Sequence, residues 1–172
     1  MEFEEKTLSE QYLYEGKILK LRKDEITLPD GNNALREVVE HSGGSAILCE
    51  KEGKILLVKQ FRYPYKEELW EIPAGKLNEG EDPIETAIRE LKEEGGVIAS
   101  SVEKMFEVYP SPGYTDEIIR IYRASGIKED VQSLDEDEFL RAEWFDKRTL
   151  KQMIKNGEIK DGKTLIALLA IL

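Results

Sequence analysis

Gly75 to Val97 reads GKLNEGEDPIETAIRELKEEGGV, and the rest of the chain is best understood from this stretch outward. Asp82 suits a helix N-cap, Pro83 the first helical position, and Glu85, three residues after the cap, completes a capping box. Ile84, Ala87, Ile88 and Leu91 recur at i, i+3, i+4 and i+7, the spacing of a buried stripe. Gly95-Gly96 ends the helix, because glycine tolerates the left-handed conformation found there. The pattern predicts a helix over residues 81–94. Its other side carries Glu90, Glu93 and Glu94 within an arc of about 100°. Like charges at that spacing repel, and the negative end of the helix dipole disfavours them further. A helix built for stability alone would place lysine there. Three carboxylates gathered against both rules point to a divalent cation held by hard oxygen ligands. The plain alternative is a solvated acidic face in an acidic protein.

The spacing of the whole stretch decides between the two. Gly75, five residues, Glu81, seven residues, then Arg89-Glu90-Leu91-Lys92-Glu93-Glu94-Gly95-Gly96-Val97 is the signature of the Nudix hydrolases, and the chain resembles that family. The resemblance implies hydrolysis of a nucleoside diphosphate linked to another moiety. It also implies an α/β (α+β) fold: a Nudix-type α/β/α sandwich with a mixed sheet, preceded by an N-terminal β-hairpin. By match to the motif, Glu90 and Glu94 are the chief magnesium ligands, with Glu93 assisting and the Ala74 carbonyl a further ligand. Manganese is the expected substitute. Arg89 takes the place of the residue that orients a glutamate by charge-assisted hydrogen bonds, and with Glu93 it counts among the catalytic groups. Glu81 belongs to the motif but is expected at the periphery, and Gly75 permits a tight loop beside the metals. Gly95 departs from the larger residue usual at that variable position, which shortens the helix.

Two further segments resemble the ADP-ribose pyrophosphatase branch of the family. Ser111-Pro112-Gly113-Tyr114-Thr115-Asp116-Glu117 lies 15 residues past Val97 at its proline. By resemblance Pro112, Gly113 and Glu117 contact substrate; on sequence grounds alone the segment is a rigid turn before a strand. Leu134-Asp135-Glu136-Asp137-Glu138 resembles the acidic loop from which this branch draws its general base. Counting back from Asn156-Gly157-Glu158-Ile159 puts Glu136 at the base position and Glu138 beside it, provided nothing is inserted between. Upstream, Gln60-Phe61-Arg62 and Trp70-Glu71-Ile72-Pro73-Ala74-Gly75 also match the branch. Arg62 is expected on a substrate phosphate and Glu71 on a substrate polar group. The implied reaction is ADP-ribose plus water giving AMP and ribose 5-phosphate. Another nucleoside diphosphate sugar, such as a GDP-sugar, is the second reading, a nucleoside triphosphate the third, and a catalytically silent binding module the alternative from another class.

Outside these motifs the sequence is that of a globular protein of 172 residues, 40% hydrophobic and 35% charged. Strands are predicted over 45–49, 55–63, 68–73, 102–109, 118–125 and 139–145, with two closing helices over 147–156 and 162–172. No apolar run approaches the ~20 residues of a membrane span, and the acidic start has no secretory character, so the expected location is cytoplasmic with no membrane partner. A balance of 25 basic against 36 acidic residues, −11 net, argues against nucleic acid as a partner. Cys49 is the only cysteine and lies in an apolar run, which makes it a small buried hydrophobe. His41 is the only histidine, which excludes a His-rich metal site.

Gly43-Gly44 marks a boundary between residues 1–42, a β-strand subdomain, and 43–172, the hydrolase domain. Residues 11–41 read as a long hairpin about the turn Pro29-Asp30-Gly31-Asn32. Such a ribbon is marginal alone. In the branch that the chain resembles it packs across a two-fold axis, so a homodimer is expected, with Arg36 reaching the partner's substrate.

Overall fold

The computed structural model describes residues 3–134 and 138–172. It divides into two compact units, Met1–Gly43 with Tyr109–Ile118, and Gly44–Val108 with Ile119–Leu172.

The smaller unit is built on β1 (Lys6–Glu15), β2 (Leu19–Thr27) and β3 (Asn33–His41), an antiparallel sheet in the order β1-β2-β3. The expected hairpin is therefore the second half of a three-stranded sheet. Its tip forms as the composition predicts: Asp30 accepts from the Asn32 N–H at 3.0 Å, and Gly31 takes a φ of 89° that a residue with a side chain resists. β1 is exposed along its whole length. It therefore shows no two-residue burial period, and only its backbone pairing with β2 defines it. The segment 109–118 joins the far edge: the Val39 N–H donates to the Tyr114 carbonyl at 2.7 Å and the Asp116 N–H to the Val39 carbonyl at 3.2 Å.

The larger unit contains β4 (Gly44–Lys51), β5 (Lys54–Arg62), β6 (Glu67–Glu71), β7 (Ala74–Lys76), α1 (Pro83–Glu93), β8 (Val97–Ile98), β9 (Ser101–Val108), β10 (Ile119–Ser125), β11 (Lys128–Glu129), β12 (Leu140–Asp146), α2 (Lys147–Lys155) and α3 (Gly162–Leu169). Its main sheet runs β12-β5-β4-β10-β9, with β6 on β5 and β7 on β4. β4 and β10 are parallel and the other pairs antiparallel, so the sheet is mixed. β4 is buried on both faces, which is why it reads as a continuous apolar run rather than an alternation. Ile47, Cys49 and Leu56 pack with Ala87 and Leu91 of α1. Ala46, Leu48, Ile55 and Leu57 pack with Leu150 of α2 and with Ala167 and Leu168 of α3. Helices thus cover both faces of one sheet, the α/β/α sandwich expected from the sequence. Cys49 is fully buried and burial pushes its thiol up to about 12, so it serves packing rather than chemistry. Among the described residues no helix is long and apolar enough to cross a membrane.

Candidate active site

The helix α1 forms where its caps demand. Asp82 accepts from the Ile84 N–H at 3.0 Å, Pro83 opens the first turn, and Gly96 leaves the helix at a φ of 61°. Its buried face differs from the predicted stripe. Ala87 and Leu91 pack on the sheet with Ile84 against them, but Ile88 is 46% exposed. Glu90 and Glu94 turn inward instead, at 6% and 2% exposure. Ile88 lies at the rim of the arc centred on Ala87, Leu91 and Glu94, and that is enough to leave it in solvent. A solvated acidic face is thereby excluded. Burying two carboxylates side by side is costly, so their placement needs a reason other than stability.

Arg89 is the hub of the acidic side. Its Nη1 donates to Glu90 Oε1 at 2.6 Å and to Glu93 Oε2 at 3.0 Å. Its Nε and Nη2 donate to Glu81 at 3.0 and 3.2 Å. Arg89 holds the Glu81 carboxyl down at about 2, helped by the Asn78 N–H. Glu81 is therefore not peripheral: it fixes the guanidinium that fixes Glu90 and Glu93.

Among the described residues no such cation is bonded to Glu94. The Ala74 N–H donates to its Oε2 at 2.8 Å, and burial pushes its carboxyl up to about 8 despite that bond. Burial likewise raises Glu90 against the pull of Arg89. The charge of Glu138 reaches both and raises both further. Glu136 lies outside the described residues. A Cβ at Gly75 would stand 1.7 Å from Glu90 Oε1, so any side chain there would displace that carboxylate. Among the described residues no three acidic, imidazole or thiol groups are already drawn in around one ion. The donor set nonetheless fits a divalent cation. Two buried carboxylates one turn apart, each pushed toward its neutral form by burial and by acidic neighbours, are what a cation's charge relieves.

Arg62 and Glu71 form a two-pronged ion pair, Nε to Oε1 at 2.6 Å and Nη2 to Oε2 at 2.7 Å. Glu71 is only 1% exposed, and its Oε2 is shared between Arg62 and Lys163. The segment that precedes the acidic loop is tied to α1 through Gln132 and Ser133. Gln132 Nε2 donates to the Glu94 carbonyl at 2.6 Å and the Ser133 N–H to the Glu93 carbonyl at 3.0 Å, satisfying carbonyls that a helix end leaves open. Lys163, Gln132 and Ser133 were not legible in the sequence. Each partner is tens of residues away, and neither a lone lysine after a cap nor a lone glutamine carries a pattern.

The other expected substrate contacts lie in the smaller unit. Arg36 pairs with Glu5 through Nε at 2.9 Å and through Nη2. Pro112 and Gly113 lie in the segment that joins β3, and Glu117 stands 3.5 Å from His41 Nδ1. Asp116 of the same segment accepts from the His41 N–H at 2.9 Å.

Comparison with known proteins agrees with this geometry. The family model described as NUDIX domain matches residues 39–168, and that described as nucleoside diphosphate sugar hydrolase N-terminal domain matches residues 5–39. A methanol dehydrogenase activator of Bacillus methanolicus is 43% identical over 168 residues, covering 96% of this chain and 91% of the relative. An ADP-ribose pyrophosphatase of Bacillus subtilis (strain 168) is 40% identical over 168 residues, with the same two coverages of 96% and 91%. Among solved structures, the crystal structure of an ADP compounds hydrolase superposes with a TM-score of 0.85 over 96% of this chain and 90% of that one; at 17% identity this speaks to the fold alone.

Proposed function

The chain belongs to the Nudix family, and on that premise we propose that it hydrolyses the pyrophosphate bond of ADP-ribose to AMP and ribose 5-phosphate, using magnesium, with manganese as a substitute. The observation that carries this reading is the inward turn of Glu90 and Glu94, held beside Ala74 and Arg89 at a desolvation cost that a bound cation would offset. A silent binding module has no physical reason to keep these carboxylates together.

Glu90 and Glu94, with Glu93 and the Ala74 carbonyl, are the groups that would hold the metal. When bound, the cation neutralises pyrophosphate charge, lowers the pKa of a water and stabilises the leaving phosphate. Arg89, braced by Glu81, keeps Glu90 and Glu93 in place. Arg62 has two donors committed to Glu71 and an Nη1 without a hydrogen-bond partner among the described residues, suited to a phosphate oxygen. A glutamate of the acidic loop, Glu136 by the sequence count with Glu138 beside it, takes the proton of the attacking water. Glu71 acts through Arg62 in this scheme, because its burial leaves it no surface for substrate. Pro112, Gly113 and Glu117 shape the substrate's other end.

A substrate panel with magnesium, read by product identity, tests the assignment. ADP-ribose is expected to exceed dGTP, its oxidised form and diadenosine polyphosphates in kcat/KM by at least about tenfold, or ~1.4 kcal/mol of discrimination. Preference for a GDP-sugar would keep the reaction and change the base. Preference for a nucleoside triphosphate would defeat the branch assignment.

We further propose a homodimer formed through the N-terminal sheet. Leu8, Tyr12, Leu13, Tyr14, Leu19 and Leu35 are exposed on these strands, more apolar surface than a solvated ribbon needs. In that dimer Arg36 leaves Glu5 and reaches the partner's substrate. Arg36→Ala and Glu94→Gln chains, co-expressed and purified as the mixed dimer, are expected to regain activity, since the first keeps its metal ligands and takes Arg36 from the second. A mixture as weak as its parents, or a monomeric mass in solution, would sink the shared site.

A further inference from the structure

Lys163 is the second residue of α3, only 10% exposed, and it sits where the positive end of the helix dipole repels a cation. A helix built for stability would carry an acid there. The Lys163 ammonium donates to Glu71 Oε2 at 2.5 Å and to Asp161 Oδ1 at 3.0 Å. Asp161 is meanwhile the N-cap of α3, its other oxygen accepting from the Thr164 N–H at 2.9 Å and hydroxyl at 2.6 Å. The Thr164 hydroxyl accepts in turn from the Ile72 N–H at 2.9 Å, which ties this turn of α3 to the strand end that carries Glu71.

The resulting cluster holds two cations, Arg62 and Lys163, and two carboxylates, Glu71 and Asp161. Burial pushes the Glu71 carboxyl up, but the two cations more than offset it and hold it below the ordinary range, so it is ionised. Without Lys163 the cluster, Arg62 included, would carry a net negative charge. Arg62 lies close enough to Glu94 for each to feel the other's charge, so the balance of this cluster is felt where a substrate phosphate would sit.

We propose that Lys163 is a positioning residue for the substrate's pyrophosphate. By sharing the Glu71 carboxylate with Arg62 and balancing Asp161, it keeps the cluster neutral and leaves the Arg62 guanidinium attractive to a phosphate oxygen. The inference rests on the reading of Arg62 as a phosphate contact, and it adds the residue that makes Arg62 effective. Lys163 itself never meets the substrate.

The test is steady-state hydrolysis of ADP-ribose with magnesium by Lys163→Met, Lys163→Gln, Lys163→Arg, Arg62→Ala and the Arg62→Ala/Lys163→Met double variant. Lys163→Gln retains a hydrogen-bond donor without the charge, so it reports on charge even if Lys163→Met folds poorly. KM is expected to rise about three- to tenfold in both uncharged variants, as loss of one partly screened charge implies, with kcat within about twofold. Lys163→Arg is expected to restore KM. In the Arg62→Ala background Lys163→Met is expected to add less than about twofold, the mark of two residues acting as one. A wild-type KM in Lys163→Gln would overturn the proposal, as would a full rise in KM from Lys163→Met when Arg62 is already gone. A fall in kcat and melting temperature at constant KM would assign Lys163 a structural role and overturn it too. An unchanged KM in Arg62→Ala itself would instead remove the phosphate contact, and this inference with it.

Discussion

Glu94→Gln and Glu90→Gln are each expected to lower kcat by about 10³ or more at saturating magnesium, the scale of losing preorganised electrostatic stabilisation at a metal site. Glutamine keeps the size, so the fold should survive. For Glu94 the metal-free protein supplies a second readout. Its carboxyl is raised from an ordinary 4.5 to about 8, first by burial. A carboxyl raised on folding keeps its proton to higher pH in the native state than in the unfolded chain. Its contribution is therefore fully present at low pH and is lost as pH climbs from the ordinary glutamate range through about 8. Glu94→Gln stays neutral throughout, so without metal it should melt no lower than wild type at pH 8 while activity has collapsed. Wild-type turnover in either variant would rule out the ligand assignment. A metal-free Glu94→Gln protein that melts far below wild type would show the carboxylate to be structural.

Loss of the general base should cost about 10² to 10⁴ in kcat with metal affinity nearly intact. Glu136→Gln is the variant expected to show it, because the count back from Asn156 assigns the base there. Glu138 is the neighbour whose charge is felt at Glu90 and Glu94. If Glu138→Gln is the crippled protein and Glu136→Gln is silent, the count is off by two. If both turn over normally, the loop is a solvated surface and the proton leaves by another route. Calorimetric titration with magnesium separates this class from the first: base variants bind the cation and ligand variants do not.

The sequence by itself determined what depends on neighbours along the chain. The Asp82 cap, the Gly96 exit and the one-turn spacing of Glu90 and Glu94 are local, and a helix period turns them directly into geometry. The doubly buried strand β4 was equally legible, because apolar residues on both faces leave a continuous run. What the sequence could not show follows one physical pattern, dependence on a distant partner. β1 has no buried face and so no hydrophobic period; it exists because β2 offers a backbone edge. Ile88 belongs to an apolar stripe by spacing, yet the sheet beneath α1 covers an arc that ends short of it and takes in Glu90 and Glu94 instead. Glu81 reads as a remote motif position until the turn before α1 lays it on Arg89. Nothing in the sequence near Glu71 shows its ion pair with Lys163 of α3, 92 residues on. Local spacing thus names the carboxylates that can gather at the site. Tertiary packing decides which are driven out of water, because the desolvation that shifts a carboxylate and makes it seek a cation comes from side chains far away in the chain.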